Sequence, residues 1–186
     1  MPIVGASLPD AARQFCDHFN RVLSTTITQA RLSPLYVRGN PFAMINFRRY
    51  GEAATATLSS RYGTLELYLQ QWCGSIVRGG RHILRTEKYR YAISLTPEKE
   101  PLFRWEYERV PTPENKHPRH HVHLDTDVDL HGHMVSLKDL HIATGYLPFE
   151  ELIRFCIVEL GTPPLQTGWE EVLKESYQLF KAEFTQ

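Results

Sequence analysis

KYRYAISLTPEKEPLFRWEYER, residues 88–109, decides the fold class. Tyr89, Tyr91, Ile93 and Leu95 alternate with more polar neighbours, and Phe103, Trp105 and Tyr107 are set against Arg104, Glu106 and Glu108. A period of two residues sends successive side chains to opposite faces of an extended chain. Each stretch therefore reads as a strand with one apolar and one polar face. The connection between them is too short for a parallel crossover, which takes about a dozen residues or more, so the pair is expected to run antiparallel.

The same texture extends upstream. Leu65, Leu67 and Leu69 alternate with Glu66, Tyr68 and Gln70, and segments from about residue 27 are punctuated by Gly39, Gly51, Gly63, Gly74 and Gly79-Gly80. Both ends of the chain change period. Ser7 with Pro9 opens a helix whose stripe is Ala12, Phe15, Cys16, Phe19, Val22 and Leu23. After residue 144, Pro148 with Glu150 and Glu151 starts a second helix that Gly161 stops, with Leu152, Ile153, Cys156, Ile157 and Leu160 on its buried side. Thr167-Gly168-Trp169-Glu170 is a capping box opening a third, striped by Trp169, Val172, Leu173, Ser176, Leu179, Phe180 and Phe184. The expected fold is α+β: an N-terminal helix, an antiparallel meander and two C-terminal helices. It forms a single domain over residues 1–186, with 145–186 as a helical pair packed on it.

A chain of 186 residues fits one core. Lys and Arg number 21, as do Asp and Glu, which excludes a strongly charged disordered tail and a uniformly basic nucleic-acid coat. No apolar run reaches the roughly 18 residues of a membrane span, and the N-terminus lacks signal-peptide texture, so a cytoplasmic location is expected. Cys16, Cys73 and Cys156 are scattered, which suits reduced core thiols. The neutral sum is uneven. Residues 31–90 hold ten basic side chains against three acidic, whereas 145–186 hold three against seven. Two readings follow: a positive surface for phosphate, or a basic sheet neutralised by an acidic C-terminal region folded over it.

Seven of the nine histidines fall between residues 117 and 141, around PRHHVHLDTD at 118–127. If 120–125 is a strand, Val122 and Leu124 face the core while His121, His123 and Asp125 share the other side. Three chemistries compete there. A metal site needs a third strong ligand, for which His131, His133, His141 and Asp125 are candidates. Metal-free phosphodiester chemistry needs one imidazole as base, another as acid and an arginine, Arg104 or Arg119, for the phosphorane charge. The third is a plain polar sheet face carrying solvated histidines. The histidine-triad nucleotide hydrolases have a His-x-His-x-His strand, but here the third position is Asp125 and no phosphate-binding helix follows directly. HGH at 131–133 reads as a turn. FRWEYER precedes the histidine strand by a loop that reverses the chain. One register brings Arg104, Glu106 and Glu108 beside His121 and His123, and a slip of one residue brings Phe103, Trp105 and Tyr107 instead.

The order of the Tyr-rich strand KYRYAISL, the Arg-acidic strand FRWEYE and then Pro118, His120, His121 and His123 resembles the TumE-type toxins of bacterial toxin–antitoxin systems, over roughly residues 64–125. That resemblance implies a toxin acting on nucleic acid, a ribonuclease, with a cognate antitoxin protein as partner, and it marks Arg104, Glu106, His120, His121 and His123. The expected mechanism uses no metal or cofactor. His121 and His123 share acid and base roles, Glu106 orients a histidine and Arg104 holds phosphate. Arg119, His120 and Arg90 bind the substrate, and Tyr89 or Tyr107 stacks on bases unless these rings are core. A non-enzymatic nucleic-acid or protein-binding module and a metal-dependent hydrolase are the alternatives.

Overall fold

A computed structural model describes residues 3–96, 99–112, 114 and 117–184, the side chains from 180 onward excepted. Strand β1 (Val4–Gly5) leads into helix α1 (Leu8–Thr26). Then come β2 (Leu32–Tyr36), β3 (Ala43–Arg49), β4 (Glu52–Ala53), β5 (Ala56–Ser60), and the long hairpin of β6 (Gly63–Arg78) and β7 (Arg81–Ser94). Next are β8 (Phe103–Glu108), β9 (His120–Leu124), and a separate hairpin of β10 (Asp127–Leu130) and β11 (His133–Ser136). A 3-10 turn (Leu137–Asp139) and β12 (Ile142–Ala143) follow. Helices α2 (Phe149–Val158) and α3 (Trp169–Phe184) close the chain. This is the α+β order read from the sequence, helix, antiparallel sheet, then two helices.

The main sheet runs β12-β9-β8-β7-β6-β3-β2, with β1 on β7, β4 on β3 and β5 on β6, every pair antiparallel. Alternation makes one face apolar, and the helices cover that face. Phe155 of α2 meets the rings of Phe103 and Trp105 edge-on, at 5.3 Å each, and Phe19 of α1 meets Phe149 at 4.7 Å. Burying such a side chain completely stabilises by about 1.5–3 kcal/mol, so this covered face dominates the folding energy. Ser7 caps α1 by accepting from the Asp10 N–H at 3.3 Å. In the stripe of α3, Ser176 is buried and donates to Glu150 at 2.5 Å; Phe180 and Phe184 lie outside the described side chains. Cys16, Cys73 and Cys156 are buried free thiols, and burial pushes each up to about 12.

Three points of the sequence reading resolve here. Of the two readings of Tyr89 and Tyr107, the core one holds: Tyr89 lies parallel on Tyr91 at 4.3 Å, and its hydroxyl accepts the Leu147 N–H at 3.0 Å. Leu95 falls just outside β7 and is exposed. Among the described residues no ion pair joins the acidic C-terminal region to the basic strands. Three basic side chains of β7 pair instead with acidic ones of β7 and β8: Arg85 with Glu87, Lys88 with Glu108 and Arg90 with Glu106. Glu87 is the extra residue of a bulge opposite Trp72 and Cys73. It takes Arg85 at 2.6 Å and Arg109 at 3.5 Å.

Candidate functional site

The register of β8 on β9 pairs Arg104 with His123, Trp105 with Val122 and Glu106 with His121. The same rows continue into β7, where Ala92 stands opposite Arg104 and Arg90 opposite Glu106. The alternation that sets Trp105 against Phe155 of α2 therefore projects Arg90, Arg104, Glu106, His121 and His123 together onto the open face. The one-residue slip that would have put the aromatic rings there does not occur.

Later segments fold over this edge of the sheet. Both key imidazoles are buried, with His121 7% and His123 6% exposed. Nδ1 of His121 lies 2.8 Å from the Pro118 carbonyl, and Nδ1 of His123 lies 3.0 Å from the Lys138 carbonyl in the 3-10 turn. A carbonyl only accepts, so each Nδ1 carries the proton and donates. In the neutral ring that leaves each Nε2 with a lone pair. These nitrogens point at one carboxylate: Glu106 Oε2 is 3.4 Å from His121 Nε2 and 3.7 Å from His123 Nε2. The other oxygen, Oε1, is held by Arg90 and Arg104 at 3.5 Å each. Neither Nε2 has a hydrogen-bond partner among the described residues.

His141 completes the group. β12 pairs Ile142 with Val122 and Ala143 with His121, and continuing that register sets His141 opposite His123. Its ring centroid is 4.6 Å from His123 and 5.0 Å from His121. The exposed ring of His117 stacks on it at 3.6 Å. One ring nitrogen from each of His121, His123 and His141 lies within 4.8 Å of the others. Burial lowers the pKa of His123 and of His141, the latter also through the neighbouring histidines, so both are neutral bases near pH 7.

The remaining sequence candidates lie elsewhere. His120 is on the opposite, helix-covered face, where it stacks on Tyr107 at 4.5 Å and meets Tyr146 edge-on. It is separated by the sheet from the group it was expected to join as a substrate contact. Arg119 donates through Nε to the Arg109 carbonyl at 2.9 Å and through Nη2 to the same oxygen, which ties down the loop ahead of β9. Asp125 lies past the end of β9, exposed, its N–H on the Leu102 carbonyl. His131 and His133 belong to the exposed tip of the β10–β11 hairpin, His131 in the left-handed region at φ 56°. Sequence reasoning did not find the Pro118 and Lys138 carbonyls, which are backbone groups and leave no trace in residue type. It held His141 only as one of four candidates for a third ligand.

Chemically, the cluster offers three imidazole lone pairs, one carboxylate shared between cations and imidazoles, and two guanidinium groups beside it. Such a set can move a proton, hold an anion or ligate a metal ion. No family model, curated protein or solved structure matches the chain.

Proposed function

We propose that the chain is a toxin-like enzyme acting on nucleic acid, a ribonuclease whose reaction centre is the cluster formed by Arg104, Glu106, His121 and His123. The observation that carries this reading is the single carboxylate of Glu106. It faces both Nε2 atoms at 3.4 and 3.7 Å on one oxygen and both guanidinium groups at 3.5 Å on the other. Acid, base and anion-holding groups thus converge on one carboxylate, which ordinary cross-strand charge pairing does not require.

The simplest mechanism uses these side chains alone. One imidazole takes the proton of the RNA 2′-hydroxyl through Nε2 as the 2′-oxygen bonds to phosphorus. The other, protonated, gives its proton to the departing 5′-oxygen. Glu106 stabilises whichever imidazole is charged, and Arg104 neutralises the phosphorane. Arg90, half-buried beside the cluster, contacts the substrate phosphate. Proton transfer of this kind supplies roughly 10²–10⁴-fold in rate. A cognate antitoxin in the same cytoplasm is the partner this reading calls for. Among the described residues no helix is long and apolar enough to cross a membrane.

The test is the double variant His121→Ala, His123→Ala, assayed for RNA cleavage and for growth inhibition on expression. Both activities are expected to disappear while circular dichroism and RNA affinity stay as in the parent. Unchanged cleavage in the double variant eliminates the enzyme reading. RNA binding by the parent without any cleavage assigns the face to a binding module instead.

A further inference from the structure

The trio of imidazoles has a property that proton transfer does not use. We infer that His121, His123 and His141 form a binding site for one divalent transition-metal ion of the zinc class, with Glu106 beside its open coordination positions.

Three observations carry this. First, the donor atoms converge: one nitrogen from each ring lies within 4.8 Å of the other two. Zinc–nitrogen bonds of about 2.0–2.1 Å in a tetrahedral site set ligand nitrogens about 3.4 Å apart, so small side-chain rotations close the cluster. His141 is the ring free to make them. It is half-buried beside a two-residue strand, and among the described residues its ring contacts are the other imidazoles. Second, His121 and His123 already carry the outer contacts of metal-ligating histidines. Each donates its Nδ1 proton to a backbone carbonyl, at 2.8 and 3.0 Å, which fixes the tautomer that turns the Nε2 lone pair toward the centre. Third, those two Nε2 atoms are buried without a hydrogen-bond partner among the described residues. A structural histidine in a core ordinarily satisfies both nitrogens, and a lone pair left bare costs stability.

The donor chemistry selects the ion. Imidazoles favour Zn²⁺, Co²⁺, Ni²⁺ and Cu²⁺, whereas Mg²⁺ and Ca²⁺ require oxygen-rich shells. Glu106 Oε2 lies close enough to either ring to accept a proton from a water on the ion. Combined with the ribonuclease reading, on which this one consequence rests, the ion changes the reaction. With Nε2 occupied, a metal-bound water attacks phosphorus as Glu106 takes its proton, the P–O bond to the leaving nucleotide breaks with its electron pair on oxygen, and Glu106 returns the proton to that oxygen. Hydrolysis leaves no cyclic phosphate, whereas transfer to the 2′-oxygen does.

The experiment uses the full chain without a purification tag, stripped with chelator and titrated with Co²⁺. The expected result is one Co²⁺ per chain, a visible d–d band of a four- or five-coordinate ion, and its loss on displacement by Zn²⁺. His141→Ala, chosen because its ring lies outside the core, is expected to weaken binding by more than the roughly 10–100-fold that loss of an outer-shell partner costs. The control His133→Ala, at the exposed hairpin tip, should bind like the parent. Zn²⁺ should also raise the melting temperature of the parent and not that of His141→Ala. No stoichiometric binding by the parent, or binding unchanged in His141→Ala, overturns the site. RNA cleavage is scored separately: Co²⁺ binding without cleavage upholds the metal site and removes the ribonuclease reading, and cleavage by a chain that binds no Co²⁺ does the reverse.

Discussion

The two faces of β7, β8 and β9 are built from the same alternating residues, yet they behave as different materials. On the covered face, Tyr89, Tyr107, His120 and Tyr146 form a cluster of rings, stacked, tilted or edge-on. On the open face, one residue away on each strand, Arg90, Glu106 and His121 form a charged row. His120 and His121 are adjacent in sequence and share almost nothing else. His120 Nδ1 is also buried without a hydrogen-bond partner, so a bare nitrogen by itself does not mark a site. What separates the faces is convergence: His120 stands among phenol rings, while His121 faces a carboxylate and two further imidazoles. Burial lowers the pKa of His120 as it does that of His123, so a shifted histidine is no better a marker than a bare one.

Substitutions on either face sharpen this contrast. The largest loss of stability belongs to the covered side. Phe19→Ala removes a ring that is 2% exposed and packed on Phe149, and it is expected to cost about 3–5 kcal/mol in urea unfolding. A cost below about 1 kcal/mol would mean that α1 is not a principal cover of the sheet. His120→Ala should cost less, about 1–3 kcal/mol, through the lost stack on Tyr107. It should leave Co²⁺ affinity and RNA cleavage at the parent level, and a loss of either would show that the faces are not independent. Smallest of all is Lys88→Ala on the open face. Its pair with Glu108 spans 3.8 Å with the lysine side chain 47% exposed, so solvent screening limits the change to a few tenths of a kcal/mol, about 0.2–0.5.

Much of this contrast could be read before any coordinates. Alternation in FRWEYE and HHVHL dictates that Arg104 and Glu106 share a face, as do His121 and His123, because extended backbone has no other option. Whether the two pairs meet depends on register, which the loop from Arg109 to Arg119 sets through backbone contacts such as Glu108 N–H on the Arg119 carbonyl. Residue types do not reveal that. α1 was legible from Ser7 and Pro9, whereas β1, β4 and β12 are two residues each, too short to express a period. His141 was the hardest to place. It reaches the site only after the chain leaves through the β10–β11 hairpin and returns along β9, and no spacing rule spans such an excursion. The charge asymmetry left two readings open for a related reason: counting by segment ignores that Arg90 and Lys88 meet acidic partners on the adjoining strand.

The three buried thiols supply an internal clock. Cys16 sits in α1, Cys73 in β6 and Cys156 in α2, and none can react as thiolate while its neighbours stay packed. An alkylating reagent therefore marks each cysteine only when its surroundings part. Comparing the three labelling rates would time the release of the first helix, the central strand and the second helix separately, with no foreign probe introduced.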